Sequence, residues 1–531
     1  MKCRICTGEE ALSVVRDGDF LACSGNMNSA MPEELLIELE KRFLTTGSPR
    51  NLTIMSGSGV GDMGPTTKKG FQHLAHEGLI KRVIVGHYGS NNTIMDMVIN
   101  NKVESYNLPQ GVCEHMFRRR AQGQPGEISK IGLKTYVDPR LEGGRMNKVT
   151  TEELVKLVEI DNEEYLYYPM PKINIGLVRA TTADENGNLS FEEEAAYVNA
   201  RAIAMAARAS GGKVIAQVKN IVTAGSIPAK EVHIAGVFVD MVVVSQDPMN
   251  NHRQTMGDFY NAAYTGRFKV PLLAHESAKL GAGKMIARRA ATELVPDALV
   301  NLGLGIPETV ASVVAEEGLS DSMVMTVETG ALGGIPAPRF SFGASVNAWS
   351  HVDSPTIFDV YDGGCLDMTF VGMAEIGENG DVNVSRFGPK ITGCGGFIDL
   401  TQGTKKVVFC GTFTSGGLDV DFKDGKLQIL KEGKNKKFVK SVYQVTFSGE
   451  HANEMGQEIL YVTERCVFKL CGGKVTLIET APGIEIDRDI LPFMDFVPEI
   501  AERVGTMDEA FFLEGKIGLK KYIEKKAGKN Q

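Results

Sequence analysis

The chain has 531 residues, of which 43% are apolar and 23% charged, an ordinary balance for a globular protein with a sizeable core. A net charge of −9 argues against nucleic acid as a partner, since a nucleic-acid binder needs a basic face. No apolar run reaches the roughly 18 residues of a membrane span, and the N-terminus lacks the apolar core of a signal peptide, so neither a membrane nor a secreted location is expected.

In chain order, a helical run "EEALSVVRDGD" (9–19) precedes a short strand "FLACSG" (20–25). A helix "PEELLIELEKRF" (32–43) and a strand "NLTIMSGSG" (51–59) follow. The second half gives the same order: helix 284–294, strand 298–306, helix 307–318 and strand "MVMTVETG" (323–330). Both second helices open Pro-Glu, with Pro suited to the first helical position and Glu to the positive end of the helix dipole.

Later segments echo one another too. "INIGLVRATTADENGNLSFE" (173–192) matches "MTFVGMAEIGENGDVNVSRF" (368–387), each a strand, a Glu-Asn-Gly turn and a second strand. "GGKVIAQVKNIV" (211–222) matches "TKKVVFCGTF" (404–413), and "EVHIAGVFVDMVVVS" (231–245) is paired with "KKFVKSVYQVTFSG" (436–449). The pattern predicts two copies of one α/β domain, each with a mainly parallel sheet covered on both faces. Expected boundaries are 1–245 for the N-terminal domain, 246–275 for a linker, 276–518 for the C-terminal domain and 519–531 for a frayed basic tail.

Ligands of open α/β sheets bind beyond the carboxyl ends of the strands. Glu328 falls at such an end, followed by Gly330, Gly333 and Gly334. The first copy has "SGSGVGD" at the matching place, with no acid directly after the strand, so the fold itself does not require this carboxylate. Two other stretches carry chemistry. "NLPQG" (107–111) presents the amide of Gln110, and "ITGCGGF" (391–397) presents Gly393, Gly395 and Gly396, whose N–H groups can approach a reacting carbonyl.

Several weaker motifs read as structural. "GSGVGDMG" (57–64) runs into Gly64-Pro65, so no helix starts there to meet a pyrophosphate. "GAGKM" (281–285) fails as a phosphate loop, with Ala278 and Met285 where Gly and Ser or Thr belong. His73 and His76 in "HLAHE" read as an ordinary helix. Cys3 and Cys6 form a lone CxxC with no second pair, which reads as a frayed terminus rather than a metal site. The nine cysteines are scattered and predict reduced thiols in the cytoplasm.

Long stretches of the chain resemble the family I CoA-transferases, in particular the single-chain bacterial acetate/propionate CoA-transferases. They include "HEGLIKR" (76–82), "YNLPQG" (106–111), "VDPR" (137–140), "LVEIDNEEYLYY" (157–168), "VNLGLGIPE" (300–308), "VETGALGG" (327–334), "GCGGFIDLTQ" (393–402) and "VTERCVF" (462–468). The resemblance implies an active site between the two halves with Glu328 as nucleophile. Gln110 and Asn301 would neighbour that carboxylate, and Gly393, Gly395 and Gly396, with Asn383, would serve the CoA side. Departures from the family pattern are Cys365, where relatives commonly have a third Gly, and Glu34, where some relatives place Asn. Trp349, the single tryptophan, either lines the acyl pocket or simply packs.

The resemblance further implies ping-pong transfer of CoA from a short-chain acyl-CoA to a short-chain acid of the acetate, propionate, butyrate or lactate class. A glutamyl-CoA thioester would be the intermediate, with no metal and no resident cofactor, CoA being substrate only, in a cytoplasmic homotetramer. A hydrolase on the same scaffold would instead activate water at Glu328, and a non-catalytic binding protein would have no use for that carboxylate.

Overall fold

The computed structural model describes residues 3–27, 29–62, 68–271 and 279–527. Gly64-Pro65, Ala278 and residues 528–531 of the expected tail lie outside them. The chain folds as two compact units. The first comprises Met1–Val270, Val327–Val360 and Gly388–Asp399; the second comprises Pro271–Thr326, Tyr361–Phe387 and Leu400–Gln531. Glu328 and the glycine stretch 393–396 therefore pack with the first half of the chain, although they are encoded in the second.

The first unit is built on an eight-stranded sheet. Its order is Arg4–Ile5, Met241–Val244, Lys213–Val218, Ile175–Arg179, Phe20–Cys23, Leu52–Ser56, Ile80–Val85 and Glu104–Asn107, and every pair is parallel. Central strands such as Phe20–Cys23 and Ile175–Arg179 are buried along their whole length, as a parallel sheet covered on both faces demands. Gly176 lets a helix come close: a Cβ there would lie 3.1 Å from Ala207 and 3.3 Å from Ile203, both on the helix Ala200–Ala209. The helix Glu33–Thr46 stops at Gly47, whose φ of 72° only glycine adopts cheaply and whose N–H closes on the Phe43 carbonyl.

The second unit repeats the order. Met323–Thr326, Ala298–Leu302, Met368–Gly372, Lys406–Cys410 and Glu458–Val462 lie side by side and parallel. Numbered by chain order within each unit, this is the same arrangement as Leu52–Ser56, Phe20–Cys23, Ile175–Arg179, Lys213–Val218 and Met241–Val244. Beyond these five strands the first unit adds Ile80–Val85 and Glu104–Asn107 at one end and Arg4–Ile5 at the other, and the second adds Cys466–Cys471, Lys474–Thr480 and Glu499–Thr506 beyond Glu458–Val462. Both Glu-Asn-Gly stretches form the expected hairpins, with Gly187 and Gly380 at φ of 83° and 85°.

Several expectations are corrected. The partner of Met241–Val244 in the repeat is Glu458–Val462, because 436–449 adds no strand to the large sheet. Pro32 and Pro307 stand one position before their helices rather than inside them. The Cys3–Cys6 terminus is not frayed, since Arg4–Ile5 pairs with Met241 and Val242. His73 lies in a 3₁₀ turn, Gly70–Leu74, not an ordinary helix. Its two ring nitrogens meet Glu40 and Glu33 at 2.7 and 2.9 Å. Residues 246–270 pack within the first unit, where Glu34 accepts hydrogen bonds from Ser245, Gln246 and Asn251.

The tail, too, is ordered as far as it is described. Leu519–Ala527 is a helix with Leu519 and Ile523 buried, and its Lys526 pairs with Glu293. Among the described residues no helix is long and apolar enough to cross a membrane. Ile523→Ala is expected to lower the stability of the second unit by about 2–4 kcal/mol in urea titration, whereas a frayed tail would give under about 0.5 kcal/mol.

Candidate active site

Three neighbouring parallel strands of the first unit, Leu52–Ser56, Ile80–Val85 and Glu104–Asn107, end at one edge of the sheet. The chain leaves them through Gly57, Gly86 and Leu108-Pro109. Pro109 then caps the helix Gln110–Ala121, so Gln110 is its first residue. The segment 392–396 lies along this edge. The Tyr88 N–H donates to the Thr392 carbonyl at 2.7 Å, and the Gly395 N–H donates to the Gly86 carbonyl at 2.7 Å. The Gln110 N–H donates to the Gly395 carbonyl at 2.9 Å.

Asn107 holds this assembly. Its Nδ2 donates to the Val85 and Gly86 carbonyls, each at 2.7 Å. Its Oδ1 accepts from the Cys394 N–H at 3.0 Å and from the Tyr136 hydroxyl. Gly393 makes the approach possible: it sits at φ of 83°, and a Cβ would fall 2.7 Å from Asn107 Nδ2 and 2.8 Å from the Gly86 carbonyl.

Glu328 stands on a tight turn just past Thr326, the last residue of its strand. The Val327 N–H donates to the Ala331 carbonyl at 3.0 Å, and the Gly330 N–H to the Val327 carbonyl at 2.9 Å. Gly330 has φ of 116°, and a Cβ there would lie 1.9 Å from the Val352 carbonyl oxygen. The side chain of Glu328 is half-buried, and desolvation raises its carboxyl pKa, partly offset by its own backbone N–H.

Gly396 links this carboxylate to the helix. A Cβ on Gly396 would sit 3.5 Å from Glu328 Cγ and 3.3 Å from Phe358, and one on Gly111 would sit 2.5 Å from Phe358. Glu328, Gly396, Phe358 and the Gln110–Gly111 helix start are thus stacked against one another. The structure brings together Glu328, Gln110, Gly393, Gly395 and Gly396. It modifies one expectation: the Gly395 N–H is committed to Gly86 and is not a free donor.

The same edge gathers buried polar atoms with no hydrogen-bond partner among the described residues: Ser56 Oγ, His87 Nδ1, Gln110 Nε2 and Glu114 Oε2. Unsatisfied groups at such density are costly to a fold, and a polar ligand at this edge could satisfy them. Burial pushes the His87 pKa down to about 4, so the ring is neutral, and pushes Glu114 up to about 8. Sequence reasoning missed Asn107, His87 and Glu114. The Asn opening "NLPQG" and the four-residue spacing from Gln110 to Glu114 were the available signals.

Asn301 and Asn383 belong to the second unit. Asn301 is buried in the strand Ala298–Leu302, donates to the Thr326 carbonyl at 3.2 Å, and has an unpartnered Oδ1. Asn383 donates to Glu375 and the Arg386 carbonyl and accepts from the N–H groups of Ser385 and Arg386. Its hydrogen-bonding capacity is spent on its own loop. Cys365 is exposed. Trp349 lies over Gly333 and borders a cavity of about 400 Å³ walled also by Tyr197, His233 and His351.

A family model for coenzyme A transferase matches residues 6–245. The caffeate CoA-transferase of Acetobacterium woodii is 46% identical over 518 residues, covering 97% of this chain and 98% of that protein. The chain belongs to the CoA-transferase family. The acetate CoA-transferase YdiF of Escherichia coli K12 is 41% identical over 515 residues, 97% of this chain and 96% of that one. A crystal structure of the acyl-CoA transferase YdiF of E. coli O157:H7, a thioester complex with CoA, matches with a TM-score of 0.91 at 40% identity over 97% of each chain. This CoA-transferase is therefore an enzyme that moves CoA between an acyl-CoA and a carboxylate, on two mostly parallel sheets of the family's fold.

Two variants test the packing of the CoA-transferase site. Gly396→Ala places a methyl group 3.3 Å from Phe358 and 3.5 Å from Glu328 Cγ; it should leave the circular dichroism spectrum intact and lower kcat/KM by a smaller factor than the roughly 100-fold that about 1 Å of misplacement costs. Asn107→Ala orphans buried donors and acceptors at about 1–3 kcal/mol each and should lower the melting temperature of the first unit by several degrees.

Proposed function

We propose that Glu328 is the nucleophile of a ping-pong CoA transfer. The carboxylate oxygen attacks the thioester carbonyl carbon, the C–S bond breaks, and CoA leaves as thiolate from a mixed acyl-glutamyl anhydride. The thiolate then attacks the glutamyl carbonyl, the C–O bond of the anhydride breaks, and the acid departs as carboxylate. The enzyme now carries CoA as a glutamyl thioester. A second carboxylate reverses the steps and leaves with CoA. One thioester is consumed and one is made, so the balance needs no other reactant.

The observation that carries this reading is the stacking of Glu328 on Gly396 beside Gln110. Gln110 Nε2 and the Gly396 N–H are the donors for the oxyanion. Both are preorganised, one on a helix start and one on a loop pinned at Cys394 and Gly395. Asn301 stays a proposed site residue but not an oxyanion donor, since its open atom, Oδ1, can only accept and its Nδ2 donates to the Thr326 carbonyl. Asn383 is left out, because its own loop uses it fully. The thioester complex of the YdiF relative supports the same covalent intermediate here.

Short-chain acids of the acetate, propionate, butyrate and lactate class are the proposed acceptors, supported by the acetate CoA-transferase relative. The caffeate CoA-transferase relative favours a second class, hydroxycinnamate-type acids. The enzyme is proposed to work in the cytoplasm, in keeping with its nine free cysteines, and as a homotetramer. Light scattering that finds a 57.5 kDa particle at working concentration overturns the tetramer.

Glu328→Gln should abolish transfer to the assay background while keeping the fold, and Glu328→Asp should lose on the order of 100-fold. Because the nucleophile must be ionised and burial raises its pKa above the usual 4.5, kcat/KM should fall as pH drops through a value above 4.5. A matrix of acyl-CoA donors against free acids reports the substrate class by kcat/KM. C8 or longer fatty acids outrunning C2–C4 acids, or acyl-CoA consumed without an acceptor, contradict the reading.

A further inference from the structure

The helix that begins at Gln110 carries a second carboxyl group on the same face, one turn on, at Glu114. Only 1% of Glu114 is exposed. Its carboxyl group fits against the end of the strand Leu52–Ser56 only because residue 57 is glycine: a Cβ there would lie 1.9 Å from Glu114 Oε1 and 3.2 Å from Oε2. Oε1 accepts one hydrogen bond, from Asn199 Nδ2 at 3.2 Å. Asn199 in turn accepts from the Gly25 N–H at 3.2 Å, so the carboxyl group is tied to a second strand end. Oε2 has no partner among the described residues.

Among the charged groups around Glu114 only Arg118 favours an anion, and it is already engaged elsewhere. Arg118, a turn further along the same helix, is engaged by Asp359 at 2.5 Å and lies 3.7 Å from Asp353. Asp353 adds a negative charge from its own segment and is itself bound by Arg201 at 2.5 Å. The neighbouring Cys113 thiol is buried and held neutral. A carboxylate stripped of water and given one neutral amide cannot stay charged cheaply, so the acid keeps its proton at neutral pH.

We infer that Glu114 serves the transfer reaction as a neutral carboxylic acid standing behind Gln110, a positioning residue whose ionisation shuts the reaction down. This rests on the reading of Glu328 as nucleophile. Glu328 has to be an anion to attack, and each half-reaction builds an oxyanion and a thiolate. A second fixed negative charge one turn behind Gln110, in a poorly solvated site, would oppose every one of those species. The protonated acid opposes none of them, and its packing against Gly57 and Asn199 holds the helix on which Gln110 stands. The proton stays on Glu114 throughout the cycle. Two carboxyl groups on one sheet edge thus take different parts, the half-buried Glu328 as the anion the reaction needs and Glu114, sealed behind Gly57, as the acid.

The test is the pH dependence of kcat/KM for the wild type and Glu114→Gln, the amide being a neutral mimic of the protonated acid. Burial pushes Glu114 up to about 8, so the wild type should lose activity above pH 8 by about tenfold per pH unit. Glu114→Gln should be about 3- to 10-fold slower at pH 7, without that alkaline limb. Glu114→Asp, which keeps the acid but shortens its reach, should retain a limb. A Gln variant with the same alkaline limb as the wild type overturns the inference, because a purely structural role would change the rate and the melting temperature but not the profile.

Glu328→Gln in the same assay separates the two failures: transfer surviving there removes the underlying reading, whereas a shared alkaline limb removes the role of Glu114 alone. Should Glu114→Gln not fold, infrared titration of the Glu328→Gln protein gives the second readout. A protonated-carboxyl stretch that disappears near pH 8 supports the inference, and no such band above pH 7 overturns it.

Discussion

The site hangs on one carboxamide. Asn107 ends the outermost strand of the first unit's sheet, and its side chain does what a further strand would otherwise do. It caps the carbonyls of Val85 and Gly86 and takes the N–H of Cys394. Residues 388–399, encoded far along the chain, are thereby fixed to the edge laid down by residues 52–107. Glycine at 393 is a condition of that contact, and Gly396 owes its place against Glu328 to it. Each bond is worth about 1 kcal/mol net, but an unmade one in this buried setting costs more, so the arrangement is close to all-or-none.

Such rigidity suits the chemistry. A carboxylate is a modest nucleophile, and its product with a thioester is an anhydride that water would destroy. Catalysis therefore rests on placement and on exclusion of water. CoA supplies binding energy far from the reacting carbon, which can be used to favour the anhydride step over simple binding. The electrostatics follow the same logic: burial keeps His87 neutral, raises the pKa of Glu328, and pushes Glu114 up to about 8. One sheet edge creates these environments by how much protein covers each group.

Much of the fold was legible because its signals are local. The Glu-Asn-Gly hairpins announce themselves within a few residues, and the order of helices and apolar strands repeats closely enough to reveal the duplication. Glu328, Gln110 and the glycines around 395 stood out as polar or flexible residues at strand ends. What stayed hidden depends on distant partners. Nothing near 327–360 says that this segment packs with the first half of the chain. Arg4–Ile5 is a strand only because Met241 and Val242 pair with it, and Glu34 is spent on Ser245, Gln246 and Asn251. Residues 436–449 carry an apolar pattern but lose the sheet position to Glu458–Val462. Glu114 looks like any helix-surface acid until Gly57 is seen to make room for it.

The central claim is that CoA becomes covalently attached to Glu328, and direct capture of that species tests it. The enzyme is incubated with an acyl-CoA and no acceptor, reduced with borohydride, digested and mapped by mass spectrometry. A glutamyl thioester is reduced to the alcohol, and the account predicts that change on the peptide containing "MTVETGALGG" and on Glu328 within it. A label on Glu308, Glu114 or Cys365 instead, or an unmodified Glu328 in enzyme that still transfers CoA, would contradict it.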